Sequence, residues 1–350
     1  MTKAKAKRPE FKRLRVLVLV HEDLVPPDTL DGYSDKEIQE WKTEYDVVTT
    51  LREMGHDVRP LGVWDDLGKI RKEVDEWQPH IAFNLLEEFH GVSVYDQHVV
   101  SYLELLRQPY TGCNPRGLML AHDKALSKQI LTYHRILTPR FIVYPLKRAI
   151  KPTKRLNYPL LVKSASEEAS LGISQASIVT SDEKLKDRVA FIHENVQSDA
   201  LVEEYIEGRE LYVGIVGNQR LQTFPIWELE FKKGGDVPLI ATAKVKWDYE
   251  YQKKLGVETS AAKDLPDSLA NSIIRQCVRT YKALFLTGYA RIDLRLGQDG
   301  RAYVLEANPN PNLSYGEDFA ESGDASGLTY ENLLHRIITL GRSYKAAWRA

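Results

Sequence analysis

The hydrophobic positions in the first third of the chain form short continuous runs, which are separated by longer amphipathic stretches. The first run, residues 16–20, is typical of a strand buried on both faces of a parallel sheet. A helical pattern follows at 36–54, and further strands are predicted at 58–63 and 80–84. Because strand and helix alternate, the pattern predicts an α/β domain whose parallel strands are joined by crossover helices.

Beyond residue 118 the pattern changes to short strands with fewer helices between them. Helices are predicted at 122–128, 182–196, 266–286 and 329–341. Strands are predicted at 140–144, 159–163, 174–180, 201–204, 210–217, 220–227, 289–296 and 302–307. The long charged stretch 230–263 is predicted to be a mobile loop or lid.

These patterns divide the chain into four parts. They are a basic flexible tail at 1–14, an N-terminal α/β domain at 15–117, a central α+β segment at 118–200 and a C-terminal α+β segment at 201–345.

The sequence 289–308 contains a strong β-hairpin signal. Asp299 and Gly300 stand between two β-rich runs and predict a two-residue turn, whose central positions both need positive φ. The resulting register places Asp293 opposite Glu306 and Arg291 opposite Asn308 on one face. Arg295 then faces Val304 there, and the other face is wholly apolar, with the pairs Leu296–Tyr303, Leu294–Leu305 and Ile292–Ala307.

Two directly opposed carboxylates repel each other, with Cβ atoms about 4.5–5.5 Å apart. The flanking residues Arg291 and Arg295 could offset the repulsion, and a bound divalent cation could do the rest. Mg²⁺ prefers oxygen ligands and commonly takes one or two carboxylates together with substrate phosphates. Asn308 adds an amide oxygen on the same face. The alternative is a polar face held together by salt bridges, without a metal.

Two lysines and one linker are further candidates for nucleotide binding. Lys163 ends an apolar strand and precedes a loop of small residues, so it could offer a fixed positive charge to a phosphate. Lys124 lies on a predicted helix. The segment 201–210 could supply backbone groups for adenine and a carboxylate for ribose. The alternatives are solvated lysines and an ordinary structural connector.

Composition and charge exclude several classes of protein. The formal net charge is −1, which gives no electrostatic reason to expect nucleic acid as a partner. No apolar run approaches the roughly 20 residues of a membrane helix, and the basic start lacks the apolar stretch of a secretory signal. Cys113 and Cys277 suit neither a disulfide framework nor a metal site. The sequence therefore predicts a cytoplasmic protein.

Taken in order, these motifs resemble the ATP-grasp superfamily, in its D-alanine–D-alanine ligase-like branch, over residues 15–340. Residues 83–87 (Phe-Asn-Leu-Leu-Glu) and 103–112 (Leu-Glu-Leu-Leu-Arg-Gln-Pro-Tyr-Thr-Gly) are similar to first-domain signatures of that family. Residues 122–128 (His-Asp-Lys-Ala-Leu-Ser-Lys) are similar to its first ATP-binding helix. The resemblance implies an N-terminal parallel α/β domain followed by two α+β subdomains that clasp ATP between them.

The resemblance also implies a role for individual residues. Those that would bind ATP are Lys124, Lys163, Ser170 of the phosphate loop, Glu203, Tyr205 and Ile206 around adenine, and Glu210 at the ribose. Asp293, Glu306 and Asn308 fall on the ligands of two magnesium ions, which Mn²⁺ could replace. Arg291 would stabilise the tetrahedral intermediate, and Lys246 with Trp247 is similar to a pair on the family's ω-loop. Glu22 is a candidate for the first substrate's amino group, with a solvated loop residue as the alternative.

The implied activity is an ADP-forming ligation, in which ATP activates a carboxylate as an acyl phosphate and an amine then attacks it. The substrate positions depart from the family: Asn312 replaces a glycine, and Glu317 replaces a serine that holds the incoming carboxylate. With Asn310 they are the candidate substrate residues. A carboxylate at 317 favours an amine or a guanidinium, so the second substrate is predicted to differ from D-alanine.

Two other functions stay open at this point. One is a ligase that modifies a peptide or protein, with the basic tail and the 230–263 stretch as docking surfaces. The other is a nucleotide-binding module without catalysis. The leading hypothesis has small amino-acid-like substrates as partners, with neither membrane nor nucleic acid, and analogy with the family suggests a homodimer.

Overall fold

The computed structural model describes residues 11–165, 175–231 and 256–346. By contacts within the chain, these residues fall into two compact units. The first unit contains the described residues up to Gly112 together with 312–320 and those from Leu328 onward. The second unit contains the described residues of 113–311 and 321–327. The chain therefore leaves the first unit after Gly112, returns to it at 312–320, passes through the second unit again at 321–327 and re-enters the first unit at Leu328.

The strands in the described residues are numbered here in chain order. They are β1 Arg15–His21, β2 Asp57–Val63, β3 Ile81–Asn84, β4 Phe141–Tyr144, β5 Leu160–Ser164, β6 Ile178–Val179, β7 Ala200–Glu204, β8 Gly208–Val216, β9 Gln222–Thr223, β10 Trp227–Phe231, β11 Val257–Ala261, β12 Tyr289–Gly297 and β13 Ala302–Pro309.

The helices of the same residues are numbered in the same way. They are α1 Asp35–Glu40, α2 Lys42–Glu53, α3 Leu67–Trp77, α4 Asp96–Leu105, α5 Pro115–His122, α6 Lys124–Tyr133, α7 Asp182–Asn195, α8 Asp267–Ala283, α9 Asp318–Ala325 and α10 Tyr330–Ser343. Single 3-10 turns lie at Glu22–Leu24, Ser93–Tyr95 and Gln175–Ser177. No helix among them is both long and apolar enough to cross a membrane.

The first unit is built on a parallel sheet with the strand order β2-β1-β3, which confirms the parallel α/β architecture predicted for this part of the chain. The central strand β1 carries the Val-Leu-Val-Leu-Val run, and all five of these side chains are fully buried. Such a run is expected where both faces of a parallel sheet are covered. The first helix begins with a capping box, in which Ser34 and Glu37 satisfy each other's backbone N–H groups.

The second unit contains two antiparallel sheets. One has the order β4-β7-β5-β6 and packs its apolar face against α7 through residues such as Val162, Val202 and Ile192. The other has the order β11-β10-β8-β12-β13, with β9 paired to β8. Mixed α/β architecture with one parallel and two antiparallel sheets agrees with the predicted fold class.

Four predicted elements differ from the structure. The single helix expected at 36–54 is two helices, α1 and α2, which are divided at Trp41. The helix expected at 122–128 is interrupted at Asp123, whose carboxylate accepts a hydrogen bond from the Leu126 N–H at 2.8 Å and so starts the new helix α6. The strand expected at 220–227 is only β9, and β10 begins where that prediction ended. The strand expected at 174–180 is a 3-10 turn followed by the two-residue β6.

The stretch 230–263 is also corrected in part. Its first two residues belong to β10, and 257–261 form β11, which pairs antiparallel with β10. The prediction of a loop over the whole stretch was therefore wrong near both of its ends. Residues 232–255 lie outside the described residues.

The loop of the β12–β13 hairpin begins one residue earlier than predicted and is one residue longer. The N–H of Gly297 donates to the Arg301 carbonyl, so the loop has three residues, 298–300, and Gly300 adopts a positive φ of 73°. Near the tip Leu294 faces Val304 and Arg295 faces Tyr303, so the predicted pairs there were wrong. A bulge at Leu305 then restores the predicted register, and Asp293 pairs with Glu306.

Candidate active site

A polar face of the β12–β13 hairpin brings the three predicted metal ligands together. Asp293 lies opposite Glu306 in the ladder, and Asn308 lies two residues further along β13, opposite Arg291. Because side chains alternate along a strand, these four residues project from the same face of the hairpin. Asp293 is buried, whereas the other three are partly exposed.

The donor set on this face fits a hard divalent cation. It offers two carboxylates and one amide, all with oxygen donors. The Nδ2 end of the Asn308 amide is buried and has no hydrogen-bond partner among the described residues. Since the two ends of an asparagine amide are interchangeable by rotation, that position can equally present the carbonyl oxygen to an ion.

The protein supplies only part of a metal coordination shell here. Within 11–165, 175–231 and 256–346, no cluster of three or more His, Cys, Asp or Glu side chains could hold a metal. A magnesium ion on this face would therefore need further oxygens. Substrate phosphates commonly complete such a shell.

Arg291 forms an ion pair with the carboxylate of Asp293, two residues along the same strand. Its Nε donates to Asp293 Oδ1 at 2.8 Å and its Nη2 donates to Oδ2 at 2.9 Å, which is a bidentate pair. The guanidinium also lies over the Tyr212 ring, 4.5 Å from the centroid. Two contacts thus fix the orientation of this positive charge next to the candidate metal ligands.

The two predicted ATP lysines both lie in the second unit and both are buried. Lys124 begins α6, and its Nζ is 3.9 Å from Glu306 Oε2. Lys163 lies in β5, and its Nζ is 2.9 Å from Glu203 Oε1. Burial alone would lower the pKa of Lys163, but the attraction of the Glu203 and Glu306 carboxylates outweighs it and raises that pKa.

A third lysine, which was not predicted as a site residue, shares Glu203 with Lys163. Lys128 Nζ lies 2.8 Å from Glu203 Oε2, and both side chains are almost completely buried. Burial would raise the pKa of Glu203, yet the two lysines hold it below its ordinary value. The sequence offered one indication of this residue. Lys128 follows Lys124 by four residues, and this spacing places both side chains on one side of a helix.

The residues expected around the adenine and ribose are connected by Arg295. Its Nη1 donates to the Tyr205 hydroxyl at 2.9 Å and to the Ile206 carbonyl at 3.3 Å, and its Nη2 donates to Glu210 Oε2 at 2.7 Å. The other oxygen of Glu210 accepts from the Tyr212 hydroxyl at 3.0 Å. Hydrogen bonds from Arg295 and Tyr212 therefore fix the orientation of the Glu210 carboxylate.

A cavity of ≈ 380 Å³ adjoins this network in the second unit. It is lined by Glu210, Arg295 and neighbours from β8 and β10, including the ion pair between Arg209 and Glu228. Its volume lies in the range of small-molecule sites. Arg295 was considered in the sequence only as a flank of the carboxylate pair, because its link to 205, 206 and 210 depends on tertiary packing.

The candidate substrate residues are divided between the units. Asn310 belongs to the second unit, where its Oδ1 accepts from the Cys113 N–H at 2.8 Å. Asn312 and Glu317 belong to the first unit, and Asn312 Oδ1 accepts from the Thr43 hydroxyl at 2.9 Å. Glu22, also in the first unit, pairs with Lys69 at 3.2 Å. Ser170 and Lys246 lie outside the described residues.

Comparison with known proteins decides the family. The family model for the D-Ala D-Ala ligase C-terminus matches residues 130–339, which is more than half of the chain. The chain belongs to the D-alanine–D-alanine ligase family. It is 30% identical to a D-alanine–D-alanine ligase of Desulfotalea psychrophila over 74% of this chain and 77% of the relative. It is 31% identical to the uncharacterized protein y4sG of Sinorhizobium fredii over 83% of this chain and 85% of the relative.

Solved structures of the same family share the fold. A D-alanine–D-alanine ligase of Bacillus anthracis, solved in complex with ATP, superposes with a TM-score of 0.73 at 24% identity. The match covers 94% of this chain and 97% of the other.

Membership of the D-alanine–D-alanine ligase family also settles the class of activity. The chain is an ATP-dependent, ADP-forming carboxylate–amine ligase, and the family generally uses Mg²⁺ with ATP on small molecules. This confirms the predicted class of enzyme and disfavours a module without catalysis.

Proposed function

We propose that this ligase joins two amino-acid-like small molecules and that its second substrate is not D-alanine. The observation that carries the site assignment is the paired register of Asp293 and Glu306, with Asn308 and Arg291 on the same face of the hairpin. That face combines the oxygen donors for magnesium with a fixed cation. The buried lysines Lys124 and Lys163 belong to the same compact unit.

In this proposal Asp293, Glu306 and Asn308 hold Mg²⁺, and two ions are expected, with Mn²⁺ as a substitute. When bound, the metal and ATP supply charge neutralisation and the phosphoryl group that activates the substrate carboxylate. Binding would not require displacement of Arg291, since each carboxylate oxygen of Asp293 has a second lone pair.

The nucleotide-binding residues and the catalytic cation have separate roles in this proposal. Lys124 and Lys163 bind the phosphate groups of ATP, together with Ser170 in the phosphate loop. Adenine is contacted by Glu203, Tyr205 and Ile206, and the ribose by Glu210. Arg291 stabilises the oxyanion that forms when the amine attacks, because its guanidinium stays protonated and is already oriented by Asp293 and Tyr212. Lys246 is the further catalytic candidate.

The substrate part of the proposal depends on acidic and amide groups. Glu317 would repel the carboxylate of an incoming amino acid and favours an amine or a guanidinium, with Asn310 and Asn312 beside it in the sequence. Glu22 would bind the amino group of the first substrate. We place the enzyme in the cytoplasm, where ATP is available. The homodimer stays a prediction.

The test is ADP release from ATP and Mg²⁺ in the presence of amino-acid and dipeptide pools, with product masses read by mass spectrometry. We expect release that depends on both a carboxylate and a basic amine, with a mass equal to their condensation product. Efficient formation of D-alanyl-D-alanine would overturn the substrate assignment. ADP release only with an added peptide or protein acceptor would favour the macromolecule-modifying ligase instead.

The metal face is tested by Asp293→Asn, with Asp299→Asn at the exposed tip of the same hairpin as the matched control. Loss of a carboxylate ligand is expected to lower kcat/KM by about 100-fold or more and to raise the Mg²⁺ concentration needed for half-maximal rate. The control is expected to change kcat/KM by less than about twofold. Equal behaviour of the two variants would contradict the metal assignment.

A further inference from the structure

Lys128 is one of the most deeply buried charged side chains in the described residues. Its side chain is 1% exposed, and its Nζ lies 2.8 Å from Glu203 Oε2 and donates to the Thr138 hydroxyl at 2.8 Å. The Thr138 hydroxyl in turn donates to the Val304 carbonyl of β13 at 2.9 Å. Through these contacts the ammonium is fixed between α6, β7 and the hairpin that carries the candidate metal ligands.

The two oxygens of the Glu203 carboxylate each face one lysine. Lys128 Nζ lies 2.8 Å from Oε2, and Lys163 Nζ lies 2.9 Å from Oε1. A buried carboxylate needs one positive charge for neutrality, but here it has two. The cluster of Lys128, Glu203 and Lys163 therefore carries one net positive charge in a buried environment.

The two lysines are not equivalent. The pKa of Lys128 is lowered, chiefly by burial, and Glu203 offsets only part of this effect. The pKa of Lys163 is raised, because Glu306 and Glu210 attract its charge in addition to Glu203. Its side chain is also more exposed, at 6% against 1% for Lys128. Of the two, Lys163 is the cation that a ligand can reach.

We propose that Lys128 is a positioning residue, which serves as the counter-ion of Glu203 and so leaves the positive charge of Lys163 for the phosphate groups of ATP. The proposal rests on the proposed function, since it takes Lys163 as the phosphate-binding lysine. Without Lys128, the single carboxylate would neutralise Lys163, and the net charge of the cluster would fall from one to zero. Phosphate binding would weaken, while contacts to the nucleoside would not.

The first test compares the binding of ADP and adenosine to the full-length wild-type protein and Lys128→Met, by calorimetry with Mg²⁺ present. We expect the Kd for ADP to rise by about 10-fold or more, as for loss of a charge-assisted contact. The Kd for adenosine is expected to change by less than about twofold. Gln129→Met, an exposed position on the same helix, is the matched control and is expected to leave both values unchanged.

Two outcomes of this test would overturn the inference. An unchanged Kd for ADP would show that Lys128 has no influence on phosphate binding. Equal losses for ADP and adenosine would show a merely structural role. If the wild-type protein itself binds neither compound, the proposed function fails before the inference is reached, so the two failures are distinguishable.

The second test keeps a positive charge at this position and covers the case in which Lys128→Met does not fold. In Lys128→Arg the guanidinium can pair with Glu203, so the cluster keeps one net positive charge and Lys163 stays available to phosphate. We expect Lys128→Arg to bind ADP within about threefold of the wild type, and a loss of 10-fold or more would overturn the proposal.

Discussion

Two buried carboxylates, one in each unit, show how differently this chain treats a negative charge. Glu203 on β7 lies between two lysines, and its pKa is below the ordinary value although it is completely buried. Glu44 on α2 is also buried, but its pKa is raised from 4.5 to about 7, chiefly by burial and in smaller part by the charges of Glu87 and Asp46. The pKa values of the two buried carboxylates are thus shifted in opposite directions.

Burial therefore decides the protonation state of a carboxylate unless a cation faces it. A lysine is close to Glu44 in sequence, since Lys42 precedes it by two residues. Positions two apart on a helix point in different directions, and Lys42 instead pairs with Asp46, four residues on. In the second unit, by contrast, α6 and β5 each supply a lysine to the same carboxylate from a distant part of the sequence.

The largest expected effect on stability comes from removing the carboxylate of Glu203, whose charge Lys128 and Lys163 neutralise. Glu203→Ala would leave Lys128 and Lys163 buried with no counter-ion in the cluster, so the free energy of unfolding is expected to fall by about 3–5 kcal/mol. Urea denaturation without nucleotide measures it. The neighbouring Glu204→Ala, which breaks a more exposed pair with Arg140 and two exposed hydrogen bonds from Asn157, is expected to lose about 1 kcal/mol. Similar losses in both variants would contradict the comparison.

Glu44→Gln tests the second buried carboxylate and is expected to change the free energy of unfolding in the opposite direction. Because the folded pKa of about 7 exceeds the ordinary value of 4.5, the folded state binds more protons between these values. Stability is then lost as the pH rises from about 4.5, and the loss is complete above about 7. The variant is expected to be more stable than the wild type by up to about 3 kcal/mol at pH 8, and about equal to it near pH 4.

Urea denaturation across this pH range checks the prediction for Glu44. Glu40→Gln, at an exposed position of α1, is the control and is expected to show a pH profile close to that of the wild type. A Glu44→Gln variant that is destabilised at pH 8 would mean that the carboxylate has a favourable contact when ionised.

The smallest effect concerns the neighbour that raises the pKa of Glu44 by repulsion. Glu87→Gln removes one of the two like charges, so the pKa of Glu44 is expected to fall by less than about one unit. The shift is measured by NMR titration of the Glu44 carboxyl carbon. Since burial is the larger cause, that pKa is expected to stay above 4.5, and a return to 4.5 would show that repulsion dominates.

The hairpin shows how far sequence alone reaches. The Asp-Gly pair predicted a turn, and the opposition of Asp293 to Glu306 is confirmed. The structure reaches this register by a different route, with a three-residue loop and a compensating bulge at Leu305. A one-residue change in loop length and a one-residue bulge cancel, and local sequence does not distinguish this combination from a regular two-residue turn.

Other parts of the site depend on tertiary contacts that leave little trace in the sequence. Lys128 and Glu203 are 75 residues apart, and Arg295 and Glu210, which are 85 residues apart, meet only because β12 pairs with β8. Buried strands and long amphipathic helices were predictable because their hydrophobic periods are strong. β11 and α9 were not predicted because their polar and charged sequences carry no strong hydrophobic period, and β11 is defined by its pairing with β10.

The return of the chain to its first unit has a consequence for its biosynthesis. The buried apolar side of α10 packs against β3 and α2, and Gly341 approaches the Tyr110 carbonyl so closely that a Cβ would lie 2.2 Å from it. A ribosome makes α10 only after the whole second unit has been translated. This side of the N-terminal sheet is therefore covered only after Tyr330–Ser343 has been made, so the packing of the first unit is completed later than the synthesis of the second.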